Sequence, residues 1–164
     1  MMNGCVTTFE FSPVGPDTVN TIISNLKNSK SCGIDNIDSY ILKLIKDEIT
    51  PALTHIVNLS LTSAVFPSPY KVGKVVPLYK GKGDILEPAS YRPVCLLPVA
   101  SKVLERCAFL QMVAYMESND YFHPNHHGFR RGHNTTTALL QMYDGWVEDV
   151  DKQKLAGACL IDLR

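Results

Sequence analysis

Three cations stand close together in the middle of the chain, around a loop that contains two glycines. Lys80 and Lys82 alternate with Gly81 and Gly83, and Arg92 follows at the start of an apolar run. Ammonium groups on a flexible glycine loop, together with a forked guanidinium, suit the binding of a polyphosphate. A solvated loop tip is the alternative for the lysines. That alternative fits Arg92 less well, because Arg92 begins a strand and does not lie at the tip.

A second cationic segment reads G-F-R-R-G-H-N-T-T and covers residues 128–136. Glycines flank Arg130 and Arg131 just before a predicted helix, where exposed backbone N–H groups and side-chain cations can bind phosphate together. The alternative is a loop that enters a helix and carries two ordinary surface arginines. The residues alone do not decide between the two.

Two further features bear on metal binding. Asp162 ends an apolar run typical of a buried strand, and such a position can hold a metal ligand rigidly while exposing it to substrate. An aspartate after a strand can equally cap a turn or a following helix. His126, His127 and His133 have no carboxylate or cysteine at ligand spacing, so we predict no metal site at the histidines.

The composition is that of one globular domain. The chain has 164 residues, of which 45% are hydrophobic and 20% charged, enough for one hydrophobic core. Sixteen basic and sixteen acidic residues cancel, so net charge indicates no class of partner. The distribution is uneven, because residues 71–82 contain four lysines and no acid, whereas residues 144–151 contain four acids and no base.

The cysteines and the apolar runs bear on the compartment. Five cysteines form no Cys-x-x-Cys pair, which favours reduced thiols over a disulfide framework or a zinc site. No apolar run approaches the length of a membrane span, and the polar start of the sequence lacks the features of a signal peptide. We therefore expect an intracellular protein, of the nucleus or cytoplasm, with no membrane partner.

Periodicity and turn residues predict the elements that must position these side chains. A first amphipathic helix lies within residues 16–28, with Asp17 or Thr18 as its cap. A loop rich in Gly, Asn and Asp follows at 28–38, and a second helix begins at about Ser39. The first third of the chain is thus predicted to be helical.

The middle of the chain changes from helix to strand and back. Pro51 ends the second helix or opens a third that continues to residue 64, since proline suits a first helical turn. Two strands at 74–80 and 92–97 form a hairpin whose loop carries the lysines. A helical period returns at about 99–118.

The last part of the chain is predicted to contain one more helix and one strand. Asn134 caps the helix, in which Tyr143 and Trp146 fit core packing better than a surface for stacking bases. The apolar run at 155–161 reads as a strand buried on both faces. We identify no repeat or linker, so one structural unit is expected.

Five motifs, in order, resemble the reverse transcriptase of non-long-terminal-repeat (LINE-type, jockey-like) retrotransposons. The strongest is Y-R-P-V-C-L-L-P, and the likeness spans about residues 9 to 164. The motifs are K-S-C-G-I-D-N-I (30–37), V-V-P-L-Y-K-G-K-G-D (75–84), S-Y-R-P-V-C-L-L-P-V-A-S-K-V-L-E-R (90–106), H-G-F-R-R-G-H-N-T-T-T-A-L (127–139) and L-I-D-L (160–163).

The resemblance implies an α+β fold, the fingers and partial palm of a right-hand polymerase. Residues 1–154 would form a fingers-like region, interleaved with a palm helix at about 99–118. Residues 155–164 would be the first palm strand, truncated. The parent enzyme would copy RNA into DNA, with an RNA template, a DNA primer, dNTPs and the remainder of the polymerase chain as its partners.

The resemblance also implies roles for the cations. Arg92 would face the triphosphate of the incoming dNTP, and Lys80 would be a second contact. Arg130 and Arg131 would lie near the nucleic acid or the active-site cleft, and Lys82 is placed with them as a residue that binds nucleic acid.

Asp162 matches the first catalytic aspartate of the family. With two later aspartates it would hold two Mg²⁺ ions, which activate the primer 3′-hydroxyl and stabilise the leaving pyrophosphate. The sequence departs from the family pattern at His127, where Gln is usual, and at His133 and Asn134, where Arg-Ser is common. Asn36 replaces a frequent Gly, which is a mild change because Asn tolerates a left-handed backbone.

Three expectations follow for the isolated chain. We predict that it is inactive and binds no Mg²⁺, because a single carboxylate at a frayed terminus cannot hold a two-metal site. The alternative is a non-catalytic remnant that binds nucleic acid through its basic loops. A relic without function is the third possibility, and it would aggregate through an exposed strand edge at 155–161.

Overall fold

The computed structural model describes residues 8–161, and the chain divides into two compact units, residues 1–115 and 116–164. The prediction of a single unit is therefore wrong. The buried residues of the hydrophobic core, from Val19 to Cys107, all belong to the first unit.

The described elements are five helices, two strands and two short 3₁₀ turns, which confirms a mixture of helix and sheet compatible with an α+β class. The helices are α1 (Pro16–Ser24), α2 (Ser39–Leu44), α3 (Lys46–Ser63), α4 (Val99–Ser118) and α5 (Thr135–Asp151). The strands are β1 (Lys74–Tyr79) and β2 (Tyr91–Leu96), and the 3₁₀ turns are Ser68–Lys71 and Pro88–Ser90.

The core of the first unit is formed by α1, α3, the first half of α4 and Leu42 of α2. Val19, Ile23 and Val103 are fully shielded from solvent, and Val57 and Cys107 are 1% exposed. Burial of one such aliphatic side chain contributes about 1.5–3 kcal/mol. This cluster therefore fixes the helices from which the hairpin and the loop 28–38 extend.

The observed helix starts correct two predictions. α1 is not capped by Asp17 or Thr18, because its N-cap is Gly15 and Pro16 occupies the first helical position. Pro51 neither ends a helix nor opens one, since it lies inside α3. α3 begins at Lys46 and stays continuous because its buried side chains pack against the core, which outweighs the missing N–H of one proline.

The predicted hairpin is confirmed, but the apolar runs that form it are exposed. β1 and β2 pair antiparallel, with Leu78 opposite Arg92 and Tyr79 opposite Tyr91. All six residues of β1 and the middle four of β2 are exposed to solvent. An apolar run indicates only which residues can be buried. Within residues 8–161 the sheet has two strands and no third.

The second unit contains α5 and the loop before it. Asn134 caps α5 as predicted, and its side chain and Thr137 form a reciprocal capping box. No residue of α5 is buried, so the predicted core packing of Tyr143 (61% exposed) and Trp146 (40% exposed) is wrong. The predicted buried strand at 155–161 is also wrong. That segment has no regular structure and is exposed, because no other described strand pairs with it.

Two further observations complete the fold. The described cysteines, at 32, 95, 107 and 159, form no disulfide bond with one another. Within residues 8–161, no helix combines the length and the apolar character required to cross a membrane.

Candidate nucleotide and nucleic-acid interface

Arg92 and Lys80 project from the same face of the hairpin. Arg92 is opposite Leu78, and Lys80 extends β1 by one residue, since its N–H donates to Ser90 O at 2.9 Å. Side chains alternate between the two faces of a strand, so Leu78, Lys80 and Arg92 share one face. Both cations are exposed. The hairpin therefore presents an ammonium and a guanidinium group side by side to solvent, and we call this surface the cationic face.

The loop that joins the strands is ordered by its own hydrogen bonds. The Lys80 ammonium donates to Ala89 O across the loop at 2.6 Å. The Asp84 carboxylate accepts from Leu86 N–H at 2.9 Å, which forms a local turn. Lys82 lies on this loop and is exposed. The three predicted cations of the first unit thus occupy one exposed hairpin end.

Two tyrosines lie on the opposite face of the hairpin. The rings of Tyr79 and Tyr91 pack with centroids 5.5 Å apart. The Tyr79 hydroxyl donates to Gly83 O at 2.7 Å, and the Tyr91 hydroxyl donates to Ile85 O at 2.9 Å. No motif in the sequence indicated a role for these two residues. Their position on the face opposite Arg92 could have been predicted, because side chains alternate between the two faces of a strand.

The loop 28–38 packs against the end of β2. Gly33 is buried, and a Cβ built on it would lie 2.6 Å from Pro98 N and 2.8 Å from Leu97 C. Asn36 has a φ of 57°, which confirms that this position requires a left-handed backbone. The K-S-C-G-I-D-N-I motif therefore has a structural role, in which its glycine permits a close approach of two backbone segments.

In the segment 128–136 of the second unit, the two adjacent arginines have different surroundings. The Arg130 guanidinium lies over the Phe122 ring, 5.1 Å from its centroid, and His126 stacks on the same ring at 5.6 Å. Arg131 is exposed, and the adjacent Gly132 has a φ of 75°. Arg130 is thus braced by a cation–π contact, whereas Arg131 extends into solvent.

The histidines of this loop have structural contacts. His127 is hydrogen-bonded through Nδ1 to Thr137 Oγ1 at 2.9 Å and through Nε2 to Gln141 Oε1 at 2.5 Å. The ring therefore joins the loop to the first turns of α5. His133 lies 5.1 Å from His127 between ring centroids.

The described residues do not form a metal centre. Between residues 8 and 161, no three His, Cys, Asp or Glu side chains are grouped so that they could bind a metal ion. Asp162, the predicted catalytic and metal-binding residue, lies outside the described residues. Lys80, Lys82 and Arg92 are in the first unit, and Arg130 and Arg131 are in the second.

Two side chains of the first unit have shifted pKa values. Burial raises the pKa of the Tyr70 hydroxyl, and the negative charge of Asp35 raises it further. Burial also raises the pKa of the Cys107 thiol. Both shifts stabilise the protonated, neutral form of the group. Neither residue belongs to the cationic face, so the shifts concern stability.

Comparison with known proteins identifies the class. No protein-family model matches the chain. The chain is 30% identical, over 153 residues, to the probable RNA-directed DNA polymerase from transposon X-element of Drosophila melanogaster. It is 29% identical, over 152 residues, to the RNA-directed DNA polymerase from mobile element jockey of Drosophila funebris. Both alignments cover 93% of this chain and 17% of the relative.

A third relative matches more closely over a shorter segment. The putative 115 kDa protein in the type-1 retrotransposable element R1DM of Drosophila melanogaster is 40% identical over 88 residues, or 53% of this chain and 9% of the relative. The chain is thus homologous to part of a transposon-encoded RNA-directed DNA polymerase. More particularly, the relatives matched over 93% of the chain are polymerases of jockey-like non-long-terminal-repeat retrotransposons, and the chain spans about a sixth of their length.

Proposed function

We propose that this chain is the nucleotide-binding, fingers-like part of a reverse transcriptase, with α4 as a palm helix. Its cationic face would bind the triphosphate of an incoming dNTP. One observation supports this role above the others: Arg92 and Lys80 share one exposed face of the β1–β2 hairpin. A guanidinium fork and an ammonium group can bind adjacent phosphates of one triphosphate.

The other cations would bind nucleic acid. Arg131 and Lys82 are exposed and free to contact backbone phosphates, while the Phe122 contact holds Arg130 in place. The RNA template and DNA primer are the proposed ligands, with the remainder of the polymerase chain as a further partner. Mg²⁺ would serve the complete enzyme, and Asp162 is its proposed ligand in this chain. The division of the sequence into 1–154 and 155–164 stays a prediction, as does location in the nucleus or cytoplasm.

The dNTP role is tested by titrating dGTP into the 164-residue chain by calorimetry. Arg92→Ala removes charge-assisted hydrogen bonds, each of which contributes about 1.5–3 kcal/mol, so we expect the Kd to rise at least tenfold. Arg92→Lys keeps the charge and loses the fork, and its Kd should be intermediate. Lys74→Ala is the matched control, because Lys74 is a cation at the other end of the same face, opposite Leu96. Equal effects of Arg92→Ala and Lys74→Ala would refute a specific triphosphate site.

A second candidate function is nucleic-acid binding without catalysis, favoured by the exposure of Lys82 and Arg131. Binding of single-stranded RNA should weaken with salt, and each lost phosphate contact should reduce the slope of log K against log [salt] by about 0.7. Primer extension on an RNA template tests the expected inactivity of the isolated chain, and the dGTP titration separates the two candidates. We expect the isolated chain to show none, and extension abolished by Asp162→Ala would contradict that expectation.

A further inference from the structure

The hydroxyl groups of Tyr79 and Tyr91 fasten the hairpin loop at two points. Each hydroxyl donates to a loop carbonyl, that of Gly83 or that of Ile85, at 2.7 and 2.9 Å. The two tyrosines are directly opposite each other in the register, and their rings pack at 5.5 Å. The pair therefore acts as one clamp, formed by neighbouring strands and closed on the loop between them.

The clamp and Arg92 lie on opposite faces of the hairpin. Tyr79 and Tyr91 alternate with Leu78 and Arg92, so the tyrosine rings are on the face opposite the cationic face. Hydroxyl groups at the ends of these rings draw the loop carbonyls toward the tyrosine side. The second half of the loop is joined to the cationic face, because the Lys80 ammonium donates to Ala89 O. Arg92 stays exposed on that face.

The backbone of the loop is adapted to this path. Gly83 has a φ of 88°, and a Cβ built on it would lie 2.5 Å from the Oγ of Ser90, a buried residue. Glu87 N–H donates to Asp84 O at 3.2 Å, and Ser90 N–H donates to Glu87 O at 2.9 Å. The loop thus returns to the strands along a defined course, which the two hydroxyls anchor on its first half.

We infer that Tyr79 and Tyr91 are positioning residues, whose hydroxyl groups hold the first half of the loop, residues 83–85, on the tyrosine side of the hairpin and so keep Arg92 on the cationic face open to a triphosphate. The value of this clamp for binding rests on the proposed dNTP role of Arg92 and Lys80. The geometry of the clamp does not depend on that role, so the geometry and the effect on binding can be tested separately. The tyrosine of the Y-R-P motif would then act through the loop, whereas its arginine contacts the ligand.

The test uses Tyr79→Phe, Tyr91→Phe and the double variant, which keep the ring packing and remove only the hydroxyls. Tyr40→Phe, on the exposed surface of α2, is the matched control. Hydrogen exchange at the amides of Leu86 and Glu87 reports the order of the loop. Loss of one hydrogen bond should accelerate this exchange about fivefold, and the double variant should exceed either single one.

Titration with dGTP provides the second readout. Each Phe variant should raise the Kd about fivefold while the urea midpoint of the core stays unchanged, because an unfastened loop covers the site for part of the time. Unchanged loop exchange would overturn the clamp. Faster exchange with an unchanged Kd would overturn its role in binding. If the wild-type chain binds no dGTP, the dNTP role and the purpose of the clamp both fail, and the exchange experiment still decides whether the hydroxyls hold the loop.

Discussion

Replacement of Gly33 by alanine tests how the loop 28–38 is attached to the first unit. A Cβ at this position would lie 2.6, 2.8 and 2.9 Å from backbone atoms of Leu97 and Pro98, whereas ordinary contacts begin near 3.4 Å. The two backbones must therefore separate by about 0.8 Å, since neither can rotate away as a side chain does. Pro98 immediately precedes α4, so the displacement acts on the start of a core helix.

The expected magnitude follows from two opposing effects. Overpacking of this kind costs about 1–3 kcal/mol. Alanine also restricts the unfolded chain more than glycine does, which raises the free energy of unfolding by about 0.4–1 kcal/mol. We therefore expect Gly33→Ala to lower the free energy of unfolding by about 1–2 kcal/mol. With a slope of about 2 kcal/mol per molar urea, the midpoint should fall by roughly 0.5–1 M.

A second glycine provides the control. A Cβ on Gly73 would lie 2.2 Å from the Sγ of Cys95, but that sulfur is the end of an exposed side chain and can rotate away. Gly73→Ala should therefore cost less than Gly33→Ala, and Cys95→Ala should remove most of its cost. Urea unfolding followed by far-UV circular dichroism measures each variant. A Gly33→Ala midpoint equal to that of wild type would refute the argument from backbone contact.

Two further predictions concern stability. Asn134→Ala removes the cap of α5 and should destabilise that helix by about 1 kcal/mol. The loss should be visible as an earlier fall of the helical circular dichroism signal on heating. Thr136→Ala, on the same helix, should have little effect. Burial raises the pKa of Cys107 above its ordinary 9.0 and that of Tyr70 above 10.0, so the folded state holds both protons more tightly. This stabilisation is complete below about pH 9 and is lost as pH rises through the raised values; urea midpoints at about pH 8 and pH 11 should show the fall, which Tyr70→Phe should reduce.

Local signals in the sequence predicted most of the elements. The helix at 99–118, the cap at Asn134 and the left-handed residue Asn36 were all recognisable from residue type and spacing. Each depends on interactions within a few residues, so a single sequence contains the necessary information. Pro51 was misjudged because continuity of α3 depends on packing with residues distant in sequence.

Burial and distant contacts were harder to predict. The apolar residues of α5 and of 155–161 show helical or strand-like patterns, yet they are exposed because a pattern does not supply a partner surface. The role of Gly33 depends on a contact with Pro98, far along the chain, which no local motif reveals. The tyrosine clamp, by contrast, could have been inferred from alternation once the hairpin was predicted.

The exposure of β2 and the proposed role of Arg92 have the same physical origin. A guanidinium in a buried strand would need a partner carboxylate, since an unpaired buried charge is strongly destabilising. Among residues 8–161 the ion pairs join Lys152 to Glu148 and Lys154 to Asp149, and none involves Arg92. Exposure therefore leaves the donors of Arg92 available to an anion from solution, which agrees with the triphosphate proposed above as its ligand.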